Sequence, residues 1–271
     1  LRSGGAYLDL GPVVTYGGIG VTLFFVLSGY LITTLLLREQ ESCGDISLVA
    51  FYKRRALRIL PAFVTYVTFA SLLSAAIRGA LPSGRTLAYT LTFISNYRVP
   101  TDWWFGYTWS LSCEEQFYLA WPITVVLVGP RWARRIALAL IVSAPAVRYL
   151  TVWAVPKAEQ YLSYMLHTRV DTLMVGCWLA LAAREPRMQV PIAVLGSWPA
   201  ALGSAVLLAL GLSPVRAVAG PLTLPTVEAV AASSILLYFL GLKSGALFSI
   251  TNSWPARQLG ALSYGFYLWQ Q

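Results

Sequence analysis

Ile19-Gly20-Val21-Thr22-Leu23-Phe24-Phe25-Val26-Leu27-Ser28-Gly29-Tyr30-Leu31-Ile32-Thr33-Thr34-Leu35-Leu36-Leu37 contains no charged residue. Its length is close to the ~20 residues a helix needs to cross the hydrocarbon core of a bilayer. Similar apolar runs recur along the whole chain. Downstream lie a polar loop from Arg38 to Asp45, a basic segment ending in Arg58, and an apolar run from about Ile59 to Ile77. Pro61 falls in the first turn of that run as read, where its missing N–H is tolerated. A shorter run from Thr86 to Tyr97 is too short to span untilted and reads as half-buried or re-entrant. Tyr97 to Thr108 then brings Trp103, Trp104, Phe105 and Tyr107, an aromatic density typical of the membrane interface. Further runs cover Glu114 to Val128, Ile136 to Val155, Val170 to Ala183, Val190 to Leu210, Ala217 to Leu240, and a last segment from Leu259.

The expectation is an all-α polytopic integral membrane protein, a helical bundle with about eight or nine membrane segments. Composition agrees. Hydrophobic residues make up 57% of the chain and charged residues 11%, against roughly 25% charged in soluble domains. The apolar runs are continuous, whereas an outer-membrane barrel would show short alternating segments. The net charge of +9 does not point to nucleic acid. The basic residues cluster in short loops, Lys53-Arg54-Arg55 and Arg131 to Arg135, as in proteins that set membrane orientation this way. Both clusters should lie on the cytoplasmic side. If the Thr86 run spanned fully, counting would put the second one outside. The whole chain reads as one integral domain whose two ends look cut.

Cys43, Cys113 and Cys177 are odd in number and lack CxxC spacing, which argues against a disulfide framework or a zinc site. Buried, inert thiols are the expected reading. Gly17-Gly18-Ile19-Gly20 lacks the Lys-Ser/Thr of a phosphate loop and reads as small residues for helix packing. No metal site is expected.

Four places carry possible chemistry. The chain has eleven acidic residues, and two of them, Glu114 and Glu115, stand in the aromatic run Trp109-Ser110-Leu111-Ser112-Cys113-Glu114-Glu115-Gln116-Phe117-Tyr118. An ionisable group placed where desolvation is expected is by default a functional candidate. Two adjacent carboxylates in low dielectric resist ionising together, which suits a general acid or base, or a group that orients one. On a helix Glu114 and Tyr118 share a face, while Glu115 points elsewhere. The alternative is a helix N-terminus capped by Ser110 or Ser112, with Ser112 and Glu115 at capping-box spacing. In the basic segment, Arg55 and Arg58 share a helix face and together could grip phosphate oxygens. The alternative there is orientation charge in contact with lipid head groups. His167, the one histidine, reads as a bystander. Arg169 and Asp171 diverge on a helix, so each should find its partner on another segment.

In order along the chain, Gly20 to Ile32, Arg54 to Pro61, Trp109 to Tyr118 with Trp121-Pro122, and Leu259 to Trp269 resemble the acyltransferase 3 family of membrane-bound O-acyltransferases. The second of these resembles the family's basic R-x-x-R segment and the third its W-S-L-x-x-E-x-x-F-Y signature. The resemblance implies a bundle of about ten membrane helices in a bacterial cell (inner) membrane. It implies transfer of an acyl group, commonly acetyl from acetyl-CoA as co-substrate, to a hydroxyl of a carbohydrate or glycosylated acceptor, with no permanently bound cofactor. Partners would be membrane lipids and that acceptor.

Carried over residue by residue, Arg55 and Arg58 match the pair associated with the acyl donor. Glu114 matches the signature glutamate and Tyr118 its aromatic. Arg169 and Asp171 resemble a recurring Arg/Asp element with a structural or substrate-orienting role. Two departures stand out. The family's proposed catalytic histidine follows an arginine in a first helix that is absent here, and Gln270 stands where histidine usually follows Leu-Trp. The expectation is therefore an acyltransferase 3 transmembrane domain lacking its first helix and truncated in its last. Two rivals remain: a transporter or flippase for a lipid-linked sugar, and an inactive membrane partner.

Overall fold

A computed structural model describes residues 11–98, 103–210 and 213–269. Among these residues every regular element is helical. The α-helices are α1 (Gly11–Cys43), α2 (Leu48–Arg78), α3 (Gly84–Leu91), α4 (Thr108–Ala154), α5 (Leu166–Ala182), α6 (Gln189–Leu195), α7 (Trp198–Ala209), α8 (Ser213–Gly241), α9 (Ala246–Thr251) and α10 (Trp254–Trp269). Four of them are long and apolar enough to cross a membrane, or up to five if the bent α6–α7 pair counts as one span.

The bundle buries polar residues among its apolar core and turns large apolar side chains outward. On α1, Thr22, Ser28 and Thr33 are buried, while Leu23, Leu27, Leu31 and Leu35, spaced four apart, are 36–45% exposed. Such a leucine stripe facing water would be an unusually large apolar patch; facing lipid it carries no cost. The all-α integral-membrane class read from the sequence therefore holds.

Local chemistry sets the ends and breaks. Gly44, at φ 79, closes α1 in the left-handed region. Ser47 caps α2 by accepting from Ala50 N at 3.3 Å. Starting at Leu48, α2 takes the whole basic segment into its first turns. Pro61 consequently lies well inside α2 and not in a first turn, and it removes the bond to the Leu57 carbonyl. At 47 residues, α4 would be ~70 Å long at 1.5 Å per residue, over twice a ~30 Å bilayer core. It is broken at Gly129 (φ 73, ψ 165), directly before Pro130, into two arms matching the two apolar runs read there. The run from Val190 to Leu210, read as one segment, is divided into α6 and α7 with a 53° bend at Gly196-Ser197.

The Thr86 run does not span. It forms the eight-residue α3, a turn at Phe93 with φ 53, and a short 3-10 helix Ser95–Tyr97. The strained turn is held on both sides. The Phe93 ring stacks on Phe63 at 4.8 Å, and its carbonyl accepts from Gln116 Nε2 at 2.6 Å. With α3 excluded as a span, α4 returns toward the end from which α2 set out. Salt bridges tie that end together: Arg54–Glu39 at 2.7 Å, Arg184–Glu41 at 2.5 Å and Arg134–Glu185 at 2.9 Å. The two basic clusters therefore share one end of the bundle, and the conflict in counting disappears.

The centre of the bundle is α5, buried along nearly its whole length against α1, α4 and α8. Gly29 of α1 and Gly176 of α5 allow the closest approach. Gly18 and Gly20, expected to serve packing, have open space where a Cβ would stand. Of the cysteines, Cys113 and Cys177 are buried as expected, and Cys43 is exposed.

Candidate active site

Glu114 is 2% exposed, on the inner face of the first arm of α4. Its Oε1 accepts from the Ser28 hydroxyl of α1 and from the Tyr118 hydroxyl at 2.9 Å. Tyr118 OH also lies 3.2 Å from Ser28 Oγ. The Tyr118 bond follows from helical spacing, since residues four apart are neighbours on one face. The Ser28 bond depends on α1 lying beside α4, a register fixed nearby by Trp121 Nε1 donating to Thr33 Oγ1 at 2.8 Å.

Helix α4 starts at Thr108, which settles the alternative for the carboxylates. Its first turn holds no acidic residue, and Tyr107 at the N-cap makes no side-chain capping bond. Ser112 donates to the Thr108 carbonyl at 3.1 Å and meets Ser95 Oγ at 2.7 Å. The glutamates therefore stand beyond the first turn, and the capping reading is corrected. Glu115 is half-buried, and its Oε1 has no hydrogen-bond partner among the described residues.

Arg55 comes in from α2. Its guanidinium carbon lies 4.9 Å from the centre of the Tyr118 ring and 5.8 Å from that of Phe51, within cation–π range. Arg55, Tyr118, Glu114 and Ser28 form one connected set running inward from the basic end. Arg58 shares the helix face but remains exposed. The structure thus brings three of the four leading candidates together and leaves Arg58 at the surface.

Arg169 and Asp171 do diverge, and their partners were not legible in the sequence. Asp171 Oδ2 accepts from Arg148 Nη2 at 2.5 Å and from Thr226 Oγ1 at 2.5 Å. Arg148, 1% exposed, also donates from Nε to the Thr168 carbonyl at 2.7 Å and from Nη1 to the Leu222 carbonyl at 2.6 Å. Arg169 Nη2 donates to Thr22 Oγ1 at 3.0 Å, and Thr22 lies 3.2 Å from Glu228 Oε2. Ser28, Thr22, Arg148 and Glu228 are thus the polar residues that sequence reading missed. A lone charge within an apolar run was the available signal for Arg148 and Glu228. The exposed His167 stacks on Tyr97, rings 5.7 Å apart and 5° from parallel. Gln270 lies outside the described residues.

The acyltransferase domain family matches residues 3–271. Over 185 residues the chain is 31% identical to the O-acetyltransferase OatA of Staphylococcus aureus strain NCTC 8325 / PS 47, a match covering 60% of this chain and 30% of that protein. A putative O-acetyltransferase of Staphylococcus aureus strain COL is 30% identical over 190 residues, covering 62% of this chain and 30% of the relative. The chain thus spans 30% of the length of these curated relatives. No solved structure matches it significantly. The glutamate that suggested the resemblance is the one buried at the meeting of α1, α2 and α4, and with nearly all its residues matched the chain belongs to the acyltransferase family.

Proposed function

We propose that this chain is the membrane part of an O-acyltransferase that moves an acyl group, acetyl in the first instance, from acyl-CoA to a carbohydrate or glycosylated hydroxyl. The observation that carries this is the buried Glu114 carboxylate, held by Ser28 and Tyr118 and connected to the basic end through Arg55. The names of the relatives, O-acetyltransferases, support the acetyl group.

By the positive-inside rule the basic end faces the cytoplasm. Coenzyme A phosphates would meet Arg58 first and Arg55 behind it. The thioester would extend along Arg55 and Tyr118 toward Glu114. In the reaction the acceptor oxygen forms the ester bond and the thioester C–S bond breaks. The acceptor's proton leaves through a general base and ends on the coenzyme A sulfur. Glu114 orients that base, its own geometry fixed by two hydroxyl donors; direct nucleophilic attack by Glu114 is the weaker role. Neutral and cationic donors nearby would stabilise the oxyanion.

We propose eight membrane segments for this reading: α1, α2, the two arms of α4, α5, the α6–α7 pair, the part of α8 after Gly220, and α10. A bacterial cell membrane is the proposed location.

The test uses the full-length protein in proteoliposomes given acetyl-CoA and cell-envelope glycan. Coenzyme A release matched by base-labile acetyl on the glycan is the expected result. Movement of a lipid-linked sugar with no coenzyme A release would identify a transporter instead.

A further inference from the structure

The two buried arginines on the inner faces of α4 and α5 are built differently. Arg148 is met on all three nitrogens: Nε, Nη1 and Nη2 donate to Thr168, Leu222, Thr226 and Asp171. That is a strut, joining the second arm of α4 to α5 and α8. Arg169, 5% exposed, donates from Nη2 to Thr22, but its Nε is buried with no hydrogen-bond partner among the described residues. An unmet charged donor inside a membrane bundle is costly unless something else meets it.

The surroundings of Arg169 have the features of a binding site. Thr22 has one proton; it accepts from Arg169 and lies 3.2 Å from both the Gly18 carbonyl and Glu228 Oε2. Thr22 therefore links Arg169 of α5 to the half-buried Glu228 of α8. Asp171 is held by Arg148 through its Oδ2, and Glu228 is joined to Arg169 through Thr22. Phe25, fully buried, lies one turn from Thr22 and one turn from Ser28 on α1. Its ring centre is 5.9 Å from the Arg169 guanidinium carbon. Phe25 thus separates two polar sets, with Glu114 and Ser28 on one side and Thr22, Arg169 and Glu228 on the other. The second set lies about 9 Å farther from the basic end, from the rise between Ser28 and Thr22.

We propose that Arg169, Thr22 and Glu228 form the acceptor-binding site, taking a hydroxyl-bearing carbohydrate on the side of Phe25 away from the acyl donor. This rests on the acyl-transfer reading above. A sugar hydroxyl both donates and accepts. The Glu228 carboxylate accepts its proton in a hydrogen bond, Arg169 Nε donates to its oxygen, and the fully buried Phe25 closes the site toward Glu114. Thr22 is a positioning residue that fixes Arg169 and Glu228 relative to each other.

The test compares Thr22→Val, Thr22→Ser and Glu228→Gln in the full-length protein. Coenzyme A binding is measured in lipid nanodiscs, and base-labile acetyl on the envelope glycan of expressing cells. Thr22→Val and Glu228→Gln are expected to lower glycan acetylation about tenfold or more, the loss of roughly one charged hydrogen bond, with coenzyme A affinity within about twofold. Thr22→Ser, which keeps the hydroxyl, should restore acetylation. Unchanged acetylation, a parallel loss of coenzyme A binding, or failure of Thr22→Ser to rescue would overturn the site. Wild-type protein that binds coenzyme A yet leaves the glycan unacetylated would instead overturn the acyl-transfer reading, and this site with it.

Discussion

Gly29 and Gly176 hold the backbones of α1 and α5 in direct contact. A Cβ added to Gly29 would lie 2.0 Å from the Leu173 carbonyl oxygen, and one added to Gly176 would lie 2.0 Å from that of Val26. Since the clash is with backbone, no rotamer change can relieve it. Gly176→Ala should push α1 away from α5, costing about 3 kcal/mol or more, the upper range for over-packing. Thermal unfolding in detergent should show a clear drop in midpoint. Gly20→Ala, with nothing within 4 Å of its new methyl, should leave the midpoint in place. Equal midpoints for the two variants would refute the close crossing.

Glu114→Gln keeps the shape of the side chain and removes its charge. On the proposed role it should lower acyl transfer by about 10²-fold or more, the scale of a lost acid–base contribution, with the protein still monodisperse. Ser28→Ala removes one of the two hydroxyl donors to Glu114 and should cost less, about 1.5 kcal/mol in transition-state stabilisation, the low end for a hydrogen bond to a charged group. Initial rates of coenzyme A release measure both. A Glu114→Gln variant running at the wild-type rate would sink the role.

Arg55 and Arg58 should respond unequally to lysine. Arg55 stacks on Tyr118 and Phe51, and an ammonium group cannot reproduce a planar fork on two rings. Arg55→Lys should raise the KM for acetyl-CoA about tenfold. At the exposed Arg58 the same change should cost about twofold, with the penalty fading at higher salt. Identical losses at both positions would argue that they act only as orientation charge.

Arg148 and Asp171, both almost without solvent contact, predict a double-mutant pattern. Asp171→Leu alone strands a buried guanidinium and should destabilise by about 3–5 kcal/mol. Arg148→Met with Asp171→Leu should recover much of that loss, because the pair then leaves no uncompensated charge. The unfolding midpoints of the two singles and the double decide it: additive losses would contradict the pairing.

Much of the fold was legible because lipid restricts what a chain can do. A charge-free run from Ile19 to Leu37 has little choice but a helix, and the shortness of the Thr86 run correctly marked it as no simple span. Gly129-Pro130 divides the first arm of α4 from the second where two apolar runs had been separated. What escaped were distances between helices. Nothing local to Ser28 indicates that it meets Glu114, and nothing near Glu228 indicates Thr22. Helix starts escaped as well. Pro61 was read in a first turn and the glutamates had a helix start as their alternative, while the helices had already started at Leu48 and Thr108.

The break at Gly129 has a consequence beyond length. Residues up to 128 supply Arg55, Glu114, Tyr118 and Ser28; residues from 130 onward supply Arg148, Arg169, Asp171 and Glu228. One residue with non-helical torsions, Gly129, joins the two groups at the charged end of the bundle. The molecule can therefore be regarded as two interlocking modules on either side of a seam, with α1 of the first module reaching deepest into the second through Thr22, Phe25 and Gly29. A chain cut at this seam and expressed as two pieces should reassemble through the α1–α5 crossing, and neither piece alone would hold both halves of the machinery.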